Sequence, residues 1–566
     1  MRFVPRNALT SLLALAPLLV GCGADQYDDG GHAHIPDAGN ASDAGYVGCL
    51  SSNECAPGYY CNDFGRCVLQ PTGSGDAGMP PPPPEKEYDF APPTASQRFV
   101  YVAMTAQDEL ARIDGSTLAV KSTKVGKAPK VVATIPGTDG AVVLDSYNGT
   151  ASIVRPTGDT DTTRVLATLQ RLNRLDIDPS GRFAVIWFDL AKAIAEGGTF
   201  SVGSFQDVTV LRLAQGNEKA VNLTVGFRPR EIQFDAAGNR AYVITQDGVS
   251  VIDLATATNN SPSIVPPIPV ADPSIAPDDL EVDIVSTGEW AAVRQLNSST
   301  LRVVNVGSSP GTAYSTTLAS PATDIDLAPN GSRLYAVERA AKKLAVLDVP
   351  GDIQNPAGIE TIDLTNATVG SLVLSGDGKR GLLFTNATAD ERVTLIKLDQ
   401  AGYPQLTWTL KKSVRAVAMS PVGDTALLIN AKMAGDPATA TTFDEFVDKS
   451  YGYTLLDLAS GFGKLQITPV DPGAFIYAPD GTKVYVALDG GDAATATRAI
   501  QVVTTQTGVV ETKQLGSPPS SVGILPGASQ AFVNQRHPLG RVSFVDLATD
   551  AQRTVTGFDL NSHIVN

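Results

Sequence analysis

Short apolar runs separated by turn residues recur along most of this chain. Each copy consists of an apolar strand, a turn built from Pro, Asp, Asn or Gly, and a second apolar strand. Clear copies lie at residues 177–186, 234–244, 325–337 and 475–487, and looser ones at 131–144, 282–293, 372–384, 417–429 and 522–533. Alternation of apolar and polar residues within the runs indicates antiparallel strands. Recurrence of this kind is the sequence signature of a repeat protein.

Each copy belongs to a larger unit of four strands. In residues 321–364, for example, strands are predicted at 323–327, 334–337, 343–348 and 359–364. Four-stranded units repeated in series are typical of the blades of a β-propeller. The units resemble the Tyr-Val-Thr-Asn type of propeller repeat found in bacterial surface proteins and, more distantly, the lactonase-like propellers. We therefore expect an all-β fold in which residues 97–566 form a single propeller.

The two ends of the repeat region predict how the ring closes. Residues 98–103 look like the second strand of a blade with no first strand before them, and residues 557–566 are one strand left over. A C-terminal strand that completes the N-terminal blade would remove two open sheet edges. Nine copies plus this composite blade predict ten blades, within a range of eight to ten. Two smaller rings or an open array are the alternatives.

The first 21 residues have the features of an export signal. Two arginines precede an apolar stretch at residues 8–20, which is too short to span a membrane comfortably. The stretch ends in Leu19-Val20-Gly21-Cys22, which resembles a bacterial lipobox. This resemblance implies cleavage before Cys22, acylation of Cys22, and anchoring at the outer membrane or surface of a Gram-negative cell. An ordinary secretory signal with an incidental cysteine is the alternative.

Four of the five cysteines lie close together, at Cys49, Cys55, Cys61 and Cys67. In an exported chain they predict two disulfides, because a segment this short has no adequate core of its own. Three pairings are possible, and structural zinc is the alternative. Residues 48–69 resemble the short Cys-rich segments of the Dickkopf N-terminal type. Lipidation of Cys22 would account for the odd fifth cysteine.

Two segments without apolar patterning flank this Cys-rich module. Residues 22–47 are rich in Gly, Ala, Asp and Asn and predict a flexible tether. Residues 70–96 contain five consecutive prolines, from Pro80 to Pro84, and predict a semi-rigid spacer. Together the two segments would hold the propeller away from the lipid anchor.

Composition and charge restrict the partners. Hydrophobic residues make up 43% of the chain and charged residues 18%, which suits a large core of short strands. The formal charge of −16, without any long basic run, argues against nucleic acid and against anionic lipid headgroups. We therefore expect membrane attachment only through the lipid on Cys22. Proteins and glycans remain as the partners of a monomer.

Loops of variable length predict where a partner would bind. Turns between first and second strands are short and uniform, so the face that carries them is expected to be scaffold. The opposite face carries longer loops, near residues 189–204, 431–450 and 489–498. Binding residues concentrate in variable loops on a rigid frame, although tolerated insertions would look the same. The candidate binding residues are Asp189, Asp247, Glu338, Arg339, Asn386, Asp436, Asp444, Glu445, Asp489, Asp492 and Arg536.

Catalytic and cofactor motifs are scarce in the repeat region. Only His537 and His563 occur there, and no Gly-x-Ser-x-Gly elbow precedes either. No cofactor is predicted, although carboxylates of the loop-rich face could hold Ca²⁺. The sequence favours a surface-attached binding or scaffolding platform over an enzyme. The alternatives are a hydrolase or lactonase that acts on the loop-rich face, and a purely structural envelope component.

Overall fold

The computed structural model describes residues 95–557, apart from 106, 146–147, 159, 198–204, 261–262, 330, 365–368, 490–496 and 538–539. It also describes the backbone of residues 59–61 and 67–69. The predicted signal, the tether and the spacer up to residue 94 lie outside the described residues, and so do Cys22, Cys49, Cys55 and Asp492. The chain divides into two units. The smaller unit contains an antiparallel hairpin of β1 (Tyr59–Cys61) and β2 (Cys67–Leu69), in which Cys61 lies opposite Cys67.

The second unit contains ten antiparallel sheets in series, each formed by strands that are consecutive in the chain. Blade 1 consists of β3 (Phe99–Met104), β4 (Glu109–Asp114) and β5 (Val120–Lys124), and blade 2 of β6 (Pro129–Thr134), β7 (Ala141–Asp145), β8 (Thr150–Thr157) and β9 (Thr160–Ala167). Blade 3 consists of β10 (Arg174–Ile177), β11 (Phe183–Trp187), β12 (Asp207–Arg212) and β13 (Lys219–Thr224), and blade 4 of β14 (Glu231–Phe234), β15 (Arg240–Thr245) and β16 (Gly248–Asp253). Blade 5 consists of β17 (Leu280–Ile284), β18 (Trp290–Gln295), β19 (Thr300–Asn305) and β20 (Ala313–Thr317).

Blades 6 to 10 each have four strands. Blade 6 consists of β21 (Asp324–Leu327), β22 (Arg333–Glu338), β23 (Lys343–Asp348) and β24 (Glu360–Asp363), and blade 7 of β25 (Ser371–Leu374), β26 (Arg380–Phe384), β27 (Arg392–Lys397) and β28 (Gln405–Thr409). Blade 8 consists of β29 (Val414–Met419), β30 (Thr425–Asn430), β31 (Tyr451–Asp457) and β32 (Gly463–Thr468), and blade 9 of β33 (Pro472–Tyr477), β34 (Lys483–Asp489), β35 (Arg498–Thr504) and β36 (Val510–Gln514). Blade 10 consists of β37 (Pro519–Leu525), β38 (Gln530–Gln535), β39 (Arg541–Asp546) and β40 (Gln552–Thr556).

In the described ranges, helices are few and short, and all lie between strands. They are α1 (Leu190–Ala195), α2 (Leu254–Asn260), α3 (Gly351–Gln354) and α4 (Phe443–Lys449), with single 3-10 turns at Pro277–Asp279, Pro356–Gly358, Pro437–Thr439 and Pro526–Ala528. Two of them, α1 and α4, interrupt the loop between the second and third strands of blades 3 and 8. In the part of the chain that the structure describes, no helix is long and apolar enough to cross a bilayer.

The position of a strand in its blade explains its apolar pattern. Every residue of β7 and of β11 is buried, because a middle strand is covered by neighbouring blades on both faces. Such strands are expected to read as short continuous apolar runs. The outermost strand of blade 2, β9, is exposed at most positions and is correspondingly rich in Thr. The apolar runs of the repeat are therefore the blade interiors.

Ten apolar cores, one between each pair of consecutive blades, close the ring. The last of them joins the two ends of the repeat region, packing Val100 and Ile113 of blade 1 against Phe532 and Phe544 of blade 10. Burial of each such side chain contributes about 1.5–3 kcal/mol. The prediction of an all-β propeller with ten blades is confirmed. The predicted closing strand, from residue 558 onward, lies outside the described residues, and Ala95 pairs with Val100 at the inner edge of blade 1.

The polar residues of the recurring sequence have two structural roles. In blade 3 the carboxylate of Asp178 accepts hydrogen bonds from the backbone N–H groups of Ser180 (2.8 Å) and Phe183 (2.6 Å), which holds the turn. On the inner strand of blade 4, the Gln233 amide donates to the Val282 carbonyl (3.1 Å) and accepts from the Ile284 N–H (2.8 Å). The first role shapes a turn, and the second joins the inner strands of blades 4 and 5.

Candidate functional site

The antiparallel order of the strands gives the ring two different faces. Turns between first and second strands share one face, here called the turn face, and they are short, as at residues 178–182 and 478–482. Loops between second and third strands lie on the other face, here called the loop face. These loops range from two residues, 246–247 in blade 4, to the twenty residues 431–450 in blade 8. The loop face therefore carries the irregular part of the molecule.

The longest fully described loop, residues 431–450, is a rigid element and is here called the arm. It contains α4, whose first turn is capped: the Thr442 hydroxyl accepts from the Glu445 N–H (3.1 Å). The Glu445 carboxylate accepts in turn from the Thr441 N–H (2.7 Å) and pairs with Lys449 (2.6 Å). Together these bonds lower the pKa of Glu445 to about 2, and the bond to Lys449 has the largest effect. The arm is thus a folded structure with its own capping contacts.

A buried lysine fastens the arm to the ring. Lys412 lies in the connection between blades 7 and 8 and is only 1% exposed. Its ammonium group donates to the carbonyls of Val447 (2.9 Å) and Asp448 (2.6 Å), at the C-terminal end of α4. Burial lowers the pKa of Lys412. A cation at this end of a helix is favourable, because the last carbonyls carry partial negative charge.

The outer surface of the arm is apolar. Phe443 is 76% exposed, Met433 57% and Phe446 39%, whereas Val447 on the inner side of α4 is buried. The two phenylalanine rings are in contact, with their centroids 6.5 Å apart. Single exposed apolar side chains are ordinary, whereas adjoining ones on a folded element are typical of an interaction surface.

A cleft of about 510 Å³ separates the arm from the neighbouring loop of blade 7. Its walls include Glu391 on the blade 7 side, and Met433 and Asp448 on the arm. Arg392 also lines it and forms a two-point ion pair with Asp390 (2.7 and 3.0 Å). Successive residues of an α-helix are rotated by about 100° around its axis. With Val447 facing the ring, Phe446 therefore lies on one flank of α4 and Asp448 on the other. The arm therefore has an acidic flank toward the cleft and an aromatic flank away from it.

The corresponding loop of blade 3 also carries a helix, and a predicted residue holds it in place. Asp189 is the N-cap of α1, accepting from the Lys192 N–H (2.9 Å), and it pairs with Arg174 (3.3 Å). The Lys192 ammonium donates to the Asn173 carbonyl (2.8 Å), and burial lowers its pKa. The side chain of Asp189 is buried, so its contacts are those of a structural cap.

Three other predicted residues connect loops to the backbone of the ring. The buried carboxylate of Glu338 accepts from the Ser320 N–H (2.7 Å), and burial raises its pKa. Asn386 donates to the Arg415 carbonyl (3.1 Å), and Asp247 accepts from the N–H of Phe227 (2.8 Å). Glu338 and Asp247 thus tie the end of a second strand, or the loop just after it, to a connection between blades, and Asn386 ties such a loop to the inner strand of the next blade. These side chains use at least part of their hydrogen-bonding capacity inside the protein.

The remaining predicted residues fall into two groups on the loop face. Asp436, Asp444 and Glu445 come together on the arm, where Asp436 caps a 3-10 turn by accepting from the Ala438 N–H (2.9 Å). Asp489 and Arg536 form an ion pair between blades 9 and 10. Arg339 stands apart from both groups, in blade 6, and burial lowers its pKa.

Two buried residues that matter for the loop face were not predicted from the sequence. Lys412 follows Lys411 in an ordinary polar stretch, so no local signal marks it as buried. Asp145, at the end of β7, is 0% exposed and accepts from the hydroxyls of Ser152 (3.0 Å) and Thr150 (3.2 Å). Burial raises the pKa of Asp145 to about 6. Its place at a strand end, equivalent to that of Glu338, is the one signal available.

The turn face is not featureless. A cleft of about 340 Å³ lies there between blades 2 and 3, lined in part by Asp139 and Arg155. Arg155 is already paired with Glu218 (2.8 Å). Across the described ranges, no group of three or more His, Cys, Asp or Glu residues is placed to hold a metal ion. The arm and its cleft are therefore the most developed candidate site.

Comparisons with known proteins assign this chain to no family. No protein-family model and no curated protein matches the sequence. Among solved structures, dihydro-heme d1 dehydrogenase NirN in complex with DHE is similar, at 13% identity and a TM-score of 0.40, over 74% of this chain and 72% of that one. Hydrazine synthase of Kuenenia stuttgartiensis (13%, TM-score 0.31, 58% and 95%) and a eukaryotic initiation factor (10%, TM-score 0.46, 82% and 97%) are similar too.

Proposed function

We propose that this chain is a lipid-anchored envelope protein whose propeller serves as a binding platform for a protein or glycan. The lipid anchor on Cys22 is supported by the sequence Leu19-Val20-Gly21-Cys22 and by the odd number of cysteines. The tether and spacer that follow would give the platform its distance from the membrane. In this arrangement the ring is the frame, and the loop face meets the partner.

One observation carries the binding role: the arm presents exposed aromatic side chains on a rigid support. A tolerated insertion would need no internal fastening, whereas this one is capped at Thr442 and held at its other end by the buried Lys412. Burying an ammonium group is costly unless its hydrogen bonds are made. A rigid support reduces the entropy lost when a partner binds, which favours affinity.

The test removes the arm without disturbing the ring. Residues 431–450 are replaced by a two-residue turn such as the one at 246–247, and unchanged thermal unfolding of the ring confirms that the blades are intact. Ligands are selected for the intact chain from a glycan array and a displayed-peptide library. We expect ligands that bind the intact chain and bind the shortened variant at least about tenfold more weakly. Selected ligands that bind both proteins equally would overturn the role of the arm, and a failure to select any loop-face ligand would overturn the proposed function.

A further inference from the structure

We propose that the arm recognises a protein segment that is both cationic and apolar, rather than a glycan. This inference rests on the proposed function and names the partner of the same site. The two flanks of α4 provide the two halves of the recognition. Phe443 and Phe446 lie on one flank, and Asp448 faces the cleft on the other.

The charge of the arm favours a cationic partner. It carries four acidic residues, Asp436, Asp444, Glu445 and Asp448, and two lysines, Lys432 and Lys449. Glu445 and Lys449 neutralise each other at 2.6 Å. Lys432 is drawn inward, where it donates to the Gly435 carbonyl (2.9 Å) and lies over the ring of Tyr451, 5.2 Å from its centroid.

The carboxylates that remain face solvent or the cleft. Asp444 is exposed and Asp448 half-buried, and neither carboxylate forms an ion pair among the described residues, although the buried Lys412 ammonium offsets part of the charge of Asp448. Across the cleft, the exposed Glu391 adds a third carboxylate. A lysine or arginine side chain from a partner would enter a cleft with carboxylates on both walls. Complementary charge of this kind accelerates association and rejects anionic competitors.

The aromatic flank supplies the apolar half. Phe443 and Phe446 together offer a surface onto which an aliphatic or aromatic side chain can pack, and truncation of such anchors commonly costs tenfold or more in affinity. An aromatic pair can pack against a sugar ring as well as against an apolar side chain, so the preference for a protein segment rests on the surplus of carboxylates beside the pair, which a lysine or arginine side chain complements. The fastening by Lys412 keeps the two flanks in a constant relation.

The experiment measures fluorescence anisotropy of defined short peptides with the full chain. The first peptide alternates Lys with Leu and Phe, the second has Glu in place of Lys, and the third has Ser in place of the apolar residues. Two arm variants, F443S/F446S and D444N/D448N, remove one flank each. Two matched controls on the turn face, F462S and D399N, remove an exposed phenylalanine and an exposed aspartate there.

We expect the first peptide to bind, the second not to bind, and the third to bind about tenfold more weakly than the first. Each arm variant should bind the first peptide about tenfold more weakly than the unaltered chain does, and the turn-face controls should bind it with unchanged affinity. Equal binding of the second peptide, or equal losses in the controls, would overturn the inference, since the attraction would then be general. If glycans or anionic peptides bind through the arm instead, the partner class is wrong and the proposed function stands. If ligands bind the loop face but none depends on the arm, the inference and the role of the arm are wrong, and if no ligand binds the loop face at all, the proposed function is wrong too.

Discussion

Replacement of Lys412 by Met tests whether a single buried lysine fastens the arm. Met has a similar length and an apolar stem, but it cannot donate hydrogen bonds. The substitution removes the bonds to the carbonyls of Val447 and Asp448. These carbonyls keep one partner each, the N–H groups of Ser450 and Met433. The change is therefore confined to the attachment of α4.

The expected effect on the arm follows from two charged hydrogen bonds. A hydrogen bond to a charged group contributes about 1.5–3 kcal/mol. Loss of two such bonds should therefore make the free energy of closing the arm less favourable by about 3–6 kcal/mol. Because 1.4 kcal/mol corresponds to a factor of ten, opening of the arm should become about a hundredfold more frequent, or more. Global stability should change less, because the ring stays folded when the arm opens, so the loss cannot exceed the free energy of closing the arm.

Hydrogen exchange measures both quantities in one experiment. In the Lys412→Met variant, the amides of residues 443–449 should lose about a hundredfold of protection, while those of the buried strand β30 keep theirs. Lys411→Met is the matched control, because Lys411 is the exposed neighbour and should leave both sets unchanged. Unaltered protection in α4 would refute the assignment of Lys412 as the fastening residue. Loss of protection throughout the ring would show that it stabilises the blades instead.

Three further predictions concern other parts of the chain. The folded pKa of Asp145, about 6, lies above the unfolded value of 3.8, so the stabilising effect of protonation is complete below about pH 3.8 and is lost as the pH rises through 6. Asp145→Asn should therefore stabilise the protein by about 3 kcal/mol at pH 7.5 and by almost nothing near pH 4 in urea denaturation, and a difference independent of pH would contradict this. Cys22→Ser should abolish the mass added by acylation and release the protein from membranes, whereas an unmodified Cys22 in the mature wild type would disprove the anchor. The four clustered cysteines, Cys49, Cys55, Cys61 and Cys67, are predicted to form two disulfides, and peptide mapping that finds free thiols or bound zinc in this segment would exclude them.

The fold could be predicted from the sequence because it depends on a local pattern repeated many times. Each blade is a meander of neighbouring strands, so contacts within it join residues close in the chain, and the apolar runs of β7 and β11 mark the buried middle strands. Ten repetitions make the pattern stand out even though individual copies vary. The turn residues were informative for the same reason, since Asp178 acts on residues only a few positions away.

The candidate site could be predicted only in part. The length of the loop at 431–450 marked the arm, and Asp436, Asp444 and Glu445 do lie together on it. The same reasoning grouped Glu338 and Asp189 with them, yet the structure buries both as supports. Sequence reasoning treats every polar residue at a strand end alike, because whether its carboxylate meets water or a backbone N–H depends on the neighbouring blade.

The sequence by itself determined the class of fold, a number of blades between eight and ten and the face on which the loops vary, because these follow from short-range patterning repeated along the chain. Only the tertiary structure decided which loop is rigid and what it presents. Lys412 lies more than thirty residues before the carbonyls that it binds, and its burial results from the packing of blades 7 and 8. Contacts between blades have no local periodicity, so no sequence pattern could show that one ordinary lysine holds the arm.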